Sequence, residues 1–320
     1  MTHLILATDK VSAEGLELLH SDDRFEVVHV DDSTSQEFRE ALAKAEALVV
    51  RSATEVDSGL LAAAGSLKAV GRAGVGIDNV DLSAASDMNV AVYNAPGGNT
   101  VAAAELTMAL MLSLVRKVPS AERSLRDGRW DRAAFKGTEL RRKKLGLIGA
   151  GRIGGEVAKR CRAFEMKTLV YDPYLTEERA EELGVKLVGL KKVIKKADVI
   201  SVHVPLTDET RRLIDADALE AMKPSAVVIN ASRGGVIDEQ ALVEALKSGV
   251  IAGAALDVYE QEPLPADSPL RDCPNLVLTP HLGGSTSEAQ VEVAREVATH
   301  IYDLLIEGDS SRAVNAPALS

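Results

Sequence analysis

Two cysteines, Cys161 and Cys273, are all that 320 residues contain. They offer neither a disulfide framework nor the paired spacing of a zinc site, so both read as reduced, inert thiols. Positive charge is in short supply too. Thirty-seven Lys and Arg face 48 Asp and Glu, a formal net charge of −11, which disfavours a nucleic-acid-binding surface. The short basic runs, Arg141 to Lys144 and Lys191-Lys192 with Lys195-Lys196, then read as solvated faces. Long apolar runs are missing. The N-terminus MTHLILATDK has an apolar run of four and no basic flank, unlike a signal peptide. The longest mostly apolar stretch, Leu106 to Val115, is about half a membrane span and is broken by Thr107 and Ser113. A soluble cytoplasmic protein is expected, with no metal, membrane or nucleic-acid partner.

What is present fits a globular chain, 46% hydrophobic and 27% charged, long enough for two domains at roughly 150 residues each. Short β-branched runs alternate with helical patterns throughout, which points to an α/β fold with parallel sheets and helices on both faces. HLILATD, FEVVHV, ALVVRS, AVGRAG and VAVYNA read as strands in the first half, with helices over Ala13 to Leu19 and Ser35 to Ala45. KLGLIG, KTLVYD, DVISVHVP, AVVINAS, IAGAALDV and LVLTPH read as a second series. Between them the turn Pro96 to Thr100 offers Asn99 or Thr100 as a helix cap. Val101 to Val115 is apolar nearly all round, with Glu105 its only charge, and is expected to be buried between domains or subunits. The more polar arm Arg116 to Arg142 carries the only Trp, Trp130. That ring packs either into a partner chain or into a satellite cluster of its own chain. The last helix, Ser287 to Ile306, is expected to return to the first domain.

The stretch KKLGLIGAGRIGGEVAKR holds Gly149-Ala150-Gly151-Arg152-Ile153-Gly154. A lone G-x-G-x-x-G is weak evidence, but this one follows a buried-strand pattern and opens a helix. The next strand ends in Asp172, 21 residues after Gly151, where a carboxylate can accept hydrogen bonds from an adenosine ribose. The glycines serve a tight turn, backbone approach to a pyrophosphate and helix–strand packing, with the pyrophosphate on the positive helix end. Asp172 would repel a 2′-phosphate, and no Arg follows to offset it. NAD is expected over NADP.

Of six histidines, His3, His20, His29 and His300 lie in the first domain or a terminal helix. His203, in SVHVP, suits a structural or cofactor-edge role. His281, in LTPHLGGST, stands at a strand's carboxyl end, where ligands bind in open α/β sheets. Arg233 and Glu262 follow two earlier strand ends, so the three could converge. Arg233 can bind a carboxylate bidentately; a surface ion pair is its other reading. His281 can exchange the hydroxyl proton. Glu262, if bonded to the imidazole, fixes its tautomer and favours its charged form; otherwise it is one more carboxylate of an acidic loop with Glu260.

Gly149 to Gly154, Asp172, NASRGGVIDEQALVEAL, AGAALDVYEQEP and TPHLGGSTSEAQ together resemble the D-isomer-specific 2-hydroxyacid dehydrogenases. VVRSAT, VGRAGVGIDNVDL and NAPGGNTVAAAE resemble the branch that oxidises 3-phospho-D-glycerate to 3-phosphohydroxypyruvate, the first step of L-serine synthesis. The likeness runs from about residue 3 to 317. It implies two Rossmann-like domains, a discontinuous substrate domain of 1–98 plus 286–320 and an NAD-binding domain of 99–285, with the site in a hinged cleft. It gives Arg233, Glu262 and His281 the catalytic roles. The family's NxARG segment reads Asn230-Ala231-Ser232-Arg233 here, a small change. Cofactor contacts would fall on Val75, Gly149, Gly151, Arg152, Ile153, Gly154, Asp172, Val204, Ala231, Ser232, Asp257, Gly283 and Gly284. The loop Gly74-Val75-Gly76 would offer a nest of N–H groups to the substrate carboxylate. Arg51, with Ser52 and Asn99 nearby, is the candidate for the substrate phosphate; Arg132 and Lys136 are weaker ones. A homodimer or homotetramer would form through the helix near 101–115 and the Trp130 arm. The resemblance also implies either a short form or a chain ending before serine-sensing domains, and no feedback through such a domain if the chain is complete. A glyoxylate or hydroxypyruvate reductase, or another D-2-hydroxyacid dehydrogenase, is the alternative enzyme. An NAD-sensing co-repressor is the alternative of another class.

Overall fold

The computed structural model describes residues 2–319. The chain divides into two compact units, one of residues 1–100 and 284–320, the other of residues 101–283.

In the first unit the strands β1 (His3–Ala7), β2 (Phe25–His29), β3 (Ala47–Val50), β4 (Ala69–Arg72) and β5 (Ala91–Asn94) form one sheet in the order β2-β1-β3-β4-β5. Every pairing is parallel, and β3 is buried along its whole length, as a strand covered on both faces should be. The helices α1 (Glu17–His20), α2 (Gln36–Leu42), α3 (Ser58–Ala63) and α4 (Leu82–Asp87) make the crossovers. Ser35, Asp57 and Asp81 cap the last three by accepting a main-chain N–H three residues on. Where the sequence suggests a helix over Ala13 to Leu19, only the four residues of α1 are helical. Gly15 interrupts the pattern, and a helix-interior glycine costs about 1 kcal/mol against alanine.

Past α5 (Thr100–Val115) and α6 (Val118–Arg126), the second unit builds a seven-stranded parallel sheet. Its strands are β6 (Lys144–Ile148), β7 (Lys167–Tyr171), β8 (Lys186–Leu187), β9 (Val199–Val202), β10 (Val227–Asn230), β11 (Gly253–Leu256) and β12 (Leu276–Leu278). They stand in the order β12-β11-β10-β9-β6-β7-β8. The helices α7 (Arg152–Ala163), α8 (Glu177–Leu183), α9 (Leu190–Lys196), α10 (Ala216–Glu220) and α11 (Glu239–Ser248) connect them. The order reverses between β6 and β9, the switch point at which open α/β sheets bind ligands. The α/β, parallel-sheet expectation is met. The two-residue β8 and the helix α6 had no sequence counterpart.

Within the chain, helix α5 buries Ala104, Met108 and Met111 and leaves Val101, Glu105 and Ala109 exposed on the opposite side, recurring every fourth residue, a stripe that the expected subunit contact would cover. Neither Asn99 nor Thr100 caps the helix. Thr100 is already the first helical residue, and Asn99 Oδ1 and Thr100 Oγ1 are enclosed without a hydrogen-bond partner among the described residues.

The last helix, α12 (Ser287–Tyr302), is capped by Thr286 and packs on α1, β4 and β5 of the first unit. Its residues Val293, Ala294, Val297, Ala298 and Ile301 join Ile5, Ala69 and Tyr93 in one core cluster. A π-type turn, Asp303–Glu307, ends it four residues earlier than the sequence pattern suggested. Trp130 is 79% exposed, so the satellite cluster on its own chain does not form.

Candidate active site

Two constructions stand at strand ends of the second unit. The first is the turn between β6 and α7. Gly149 has φ +87°, open to glycine without strain, and a Cβ there would lie 2.5 Å from the His203 carbonyl oxygen. A Cβ at Gly154 would meet Gly149 O at 2.2 Å, so the helix can approach the strand only without side chains. Gly151 opens α7 with no side-chain cap, and a Cβ at Gly151 would meet nothing within 4 Å. The first N–H groups of a 12-residue helix thus face open space, with the partial positive charge of its dipole behind them. Asp172, after β7, accepts the Ala150 N–H at 2.8 Å and the Tyr174 N–H at 2.9 Å. This fits a dinucleotide: an uncapped N-terminus for the phosphates and a fixed carboxylate beside it.

His203 lies directly behind that turn. Its Nε2 is 2.8 Å from Ser201 Oγ, and its enclosed Nδ1 has no partner among the described residues. Burial pushes its pKa down to about 4, so it stays neutral. That suits the structural reading. His3, His20, His29 and His300 all belong to the first unit.

The second construction brings Arg233, Glu262 and His281 together on the loops after β10, β11 and β12. Asn230, buried at the end of β10, accepts from the Ser232 N–H and hydroxyl and donates to Arg233 O, folding residues 230–233 into a tight turn. Gly234 then lies flat on the next loop; a Cβ there would stand 1.7 Å from Tyr259 O. Glu262 accepts the Tyr259 N–H at 3.1 Å through one oxygen and bonds His281 Nδ1 at 2.7 Å through the other. His281 stands in the left-handed region, φ +52°, and donates its own N–H to Asp257 O at 2.9 Å.

Asp257 holds the whole loop. Its buried carboxylate accepts the Thr279 hydroxyl at 2.6 Å and the Leu282 and Gly283 N–H groups at 2.7 and 2.9 Å. Tyr259 adds a hydroxyl bond to Thr279 O at 2.8 Å. Sequence reasoning named Asp257 only as a cofactor contact and passed over Gly234 and Tyr259. The one available signal was Gly234 directly after the arginine.

The electrostatics follow. The Glu262 hydrogen bond raises the His281 pKa against the opposing pull of burial, helped by the charges of Glu262 and Asp257, while Arg233 works the other way. Burial pushes the Glu262 carboxyl up, but His281, the Tyr259 N–H and Arg233 outweigh it and hold the carboxyl below its ordinary value. With Nδ1 committed to Glu262, Nε2 is the nitrogen left to exchange a proton.

The other candidates divide between the two units. Arg51, Ser52, Gly74, Val75, Gly76 and Asn99 belong to the first unit, as does Gly284. Arg51 is half-buried, and its guanidinium has no hydrogen-bond or ion-pair partner among the described residues. Arg132 and Lys136 are exposed on the segment after α6. Val204, Ala231 and Ser232 follow β9 and β10 on the same side as the glycine turn.

Residues 108–283 match the family model described as "D-isomer specific 2-hydroxyacid dehydrogenase, NAD binding domain". D-3-phosphoglycerate dehydrogenase of Archaeoglobus fulgidus is 47% identical over 98% of the chain and 60% of its own length. The chain spans 56–60% of the length of the first such relatives. Among solved structures, the TT0316 protein of Thermus thermophilus superposes with a TM-score of 0.87 at 34% identity, covering 97% of this chain and 99% of that one. An NADPH-dependent glyoxylate/hydroxypyruvate reductase of Sinorhizobium meliloti superposes at 0.84 and 31% identity, over 98% of this chain and 99% of the other.

Proposed function

Because the chain belongs to the D-isomer specific 2-hydroxyacid dehydrogenases, we propose that it oxidises 3-phospho-D-glycerate to 3-phosphohydroxypyruvate with NAD, at the head of L-serine synthesis. The observation that carries the reading is the His281–Glu262 bond of 2.7 Å with Arg233 acting on both charges. NAD supplies the hydride acceptor. His281 Nε2 takes the hydroxyl proton in oxidation and returns it to the carbonyl oxygen in reduction. Glu262 holds the ring in the tautomer that leaves Nε2 able to accept. Arg233 holds the substrate carboxylate, helped by the N–H groups of Val75 and Gly76, the Gly74 N–H being taken by Arg72 O at 2.7 Å, and Arg51 with Ser52 holds the phosphate. The unit of residues 101–283 acts as the cofactor domain and the other as the substrate domain.

The substrate is supported by the 47% identity to a D-3-phosphoglycerate dehydrogenase, against 31% to the glyoxylate/hydroxypyruvate reductase. NADH oxidation with 3-phosphohydroxypyruvate, hydroxypyruvate and glyoxylate tests it. A kcat/KM preference of about a hundredfold for the phosphorylated acid, near 2.7 kcal/mol, is expected. Parity would return the protein to the reductases.

Asp172 sets the cofactor. The substitution D172S removes the charge that repels a 2′-phosphate and the acceptor for ribose hydroxyls. The ratio of kcat/KM for NAD over NADP should fall by tenfold or more, roughly 1.4 kcal/mol. An unchanged ratio would place the discrimination elsewhere.

Among the described residues no helix is long and apolar enough to cross a membrane, and we place the protein in the cytoplasm as a homodimer or homotetramer. Its support is the apolar surface of α6 and the arm beyond it, where Val118, Leu125 and Trp130 are 52, 57 and 79% exposed. Burying such side chains stabilises by about 1.5–3 kcal/mol each. The pair L125D and W130S should sediment as a monomer; an unchanged oligomer would exclude this face.

A further inference from the structure

We propose that Asn79 and Asp9 are positioning residues that set the spacing between the two anion-holding loops of the first unit, and so tune the site to a three-carbon acid carrying a phosphate. The inference rests on the assignment of Arg51 to the phosphate and of the Val75 and Gly76 N–H groups to the carboxylate.

The residues 51–56 join β3 to α3, and their main chain is held from two sides. From one side Asp9, after β1, accepts the Arg51 N–H at 2.9 Å and the Thr54 N–H at 3.1 Å on Oδ2, and the Thr54 hydroxyl at 2.7 Å on Oδ1. From the other, buried Asn79 donates through Nδ2 to Arg51 O at 2.8 Å and to Thr54 O at 2.7 Å. Both peptide groups of both residues are therefore fixed by side chains 25 to 45 positions away in sequence. Ser52 and Ala53 between them stay exposed, and the Arg51 guanidinium is left uncommitted.

Asn79 does more than close a turn. Its own carbonyl accepts the Val56 N–H at 2.8 Å, and Asp81 N–H returns to Val56 O at 2.9 Å, a parallel bridge between Val56 and Val80. Asn79 also ends the stretch Gly74-Val75-Gly76-Ile77-Asp78-Asn79, whose Val75 and Gly76 N–H groups are assigned above to the carboxylate. One side chain thus belongs to the carboxylate loop and grips the backbone of the phosphate loop. Asp9 places a negative charge beside an anion site, but three donors already occupy it. A loop that only had to be tethered would not need the N–H and the carbonyl of both Arg51, which bears the free cation, and Thr54 bound by side chains.

The test compares 3-phosphohydroxypyruvate with hydroxypyruvate in wild type, R51A, N79A and the double variant. A misplaced cation costs about tenfold to a hundredfold, so N79A should lose that much kcat/KM on the phosphorylated acid, through KM, and less than threefold on hydroxypyruvate. In the R51A background N79A should add nothing on the phosphorylated acid. Equal losses on both acids, or additive losses in the double variant, would overturn the proposal while R51A alone upholds the phosphate assignment. If R51A leaves the preference intact, that assignment falls and the proposal with it. Should N79A not fold, D9A carries the same expectation, because it removes the acceptor of the Arg51 and Thr54 N–H groups and of the Thr54 hydroxyl.

Discussion

Replacing His281 with asparagine should lower kcat by about 10²- to 10⁴-fold in both directions, the range attributable to one general acid–base group. Asparagine is the informative choice. His281 has φ +52°, and asparagine tolerates that region better than most residues, so the loss reports chemistry rather than a collapsed loop. The binding of NADH, followed by its fluorescence, should stay close to wild type. A variant that lost cofactor binding but kept its turnover would remove His281 from proton transfer. E262Q separates tuning from chemistry. Oxidation needs the neutral imidazole, so its kcat/KM should rise with pH through the elevated pKa; reduction needs the charged ring and should fall over the same range. Losing the Glu262 carboxylate lowers the His281 pKa, so both limbs should move to lower pH. Limbs that stay in place would mean that Glu262 does not set the base. The pair also bears on stability. The Glu262 contribution is lost as pH falls below the ordinary 4.5, and the His281 contribution is lost as pH rises through its raised value, from 6.5 upward.

The second large effect belongs to Asp257. D257A strips the acceptor from the Thr279 hydroxyl and from the Leu282 and Gly283 N–H groups. An unsatisfied buried donor costs about 1–3 kcal/mol, so the cofactor-free protein should lose 3 kcal/mol or more, on the order of 6–12 °C in Tm. Turnover should fall with it, because His281 hangs on the same loop. D257N should be nearly as damaging. Its carbonyl can take two of the three donors, but its amide nitrogen would face the third. Differential scanning fluorimetry of the cofactor-free chain is the deciding measurement. An unchanged Tm with weakened NAD binding would make Asp257 a cofactor contact and nothing more.

The parts that could be read directly from the sequence are those whose partners lie close along the chain. The glycine turn, its strand and its helix fall within twenty residues, and the hydrophobic period of each strand is local. Even the strand-end placement of Arg233, Glu262 and His281 follows from counting elements. What could not be read depends on distance. Asp9 meets Thr54 across 45 positions, and Asp257 meets Gly283 across 26; a carboxylate does not advertise which N–H groups will face it. The exposed stripe on α5 was hidden for another reason: valine and alanine look alike whether a neighbour covers them or water does. Asn99 and Thr100 have the chemistry of caps, but Thr100 lies inside the helix and Asn99, at the position before it, turns its Oδ1 to no N–H among the described residues.

The order of the chain through the two units has a consequence for biogenesis. Residues 1–100 build a complete five-stranded sheet, but one face of β4 and β5 is covered by α12, which begins at Ser287. The ribosome makes about 5–20 residues per second, so that apolar face waits for tens of seconds while the entire second unit is synthesised and can fold. The later-made domain is the one free to finish first, and the nascent N-terminal sheet is the part of this molecule most dependent on chaperone cover.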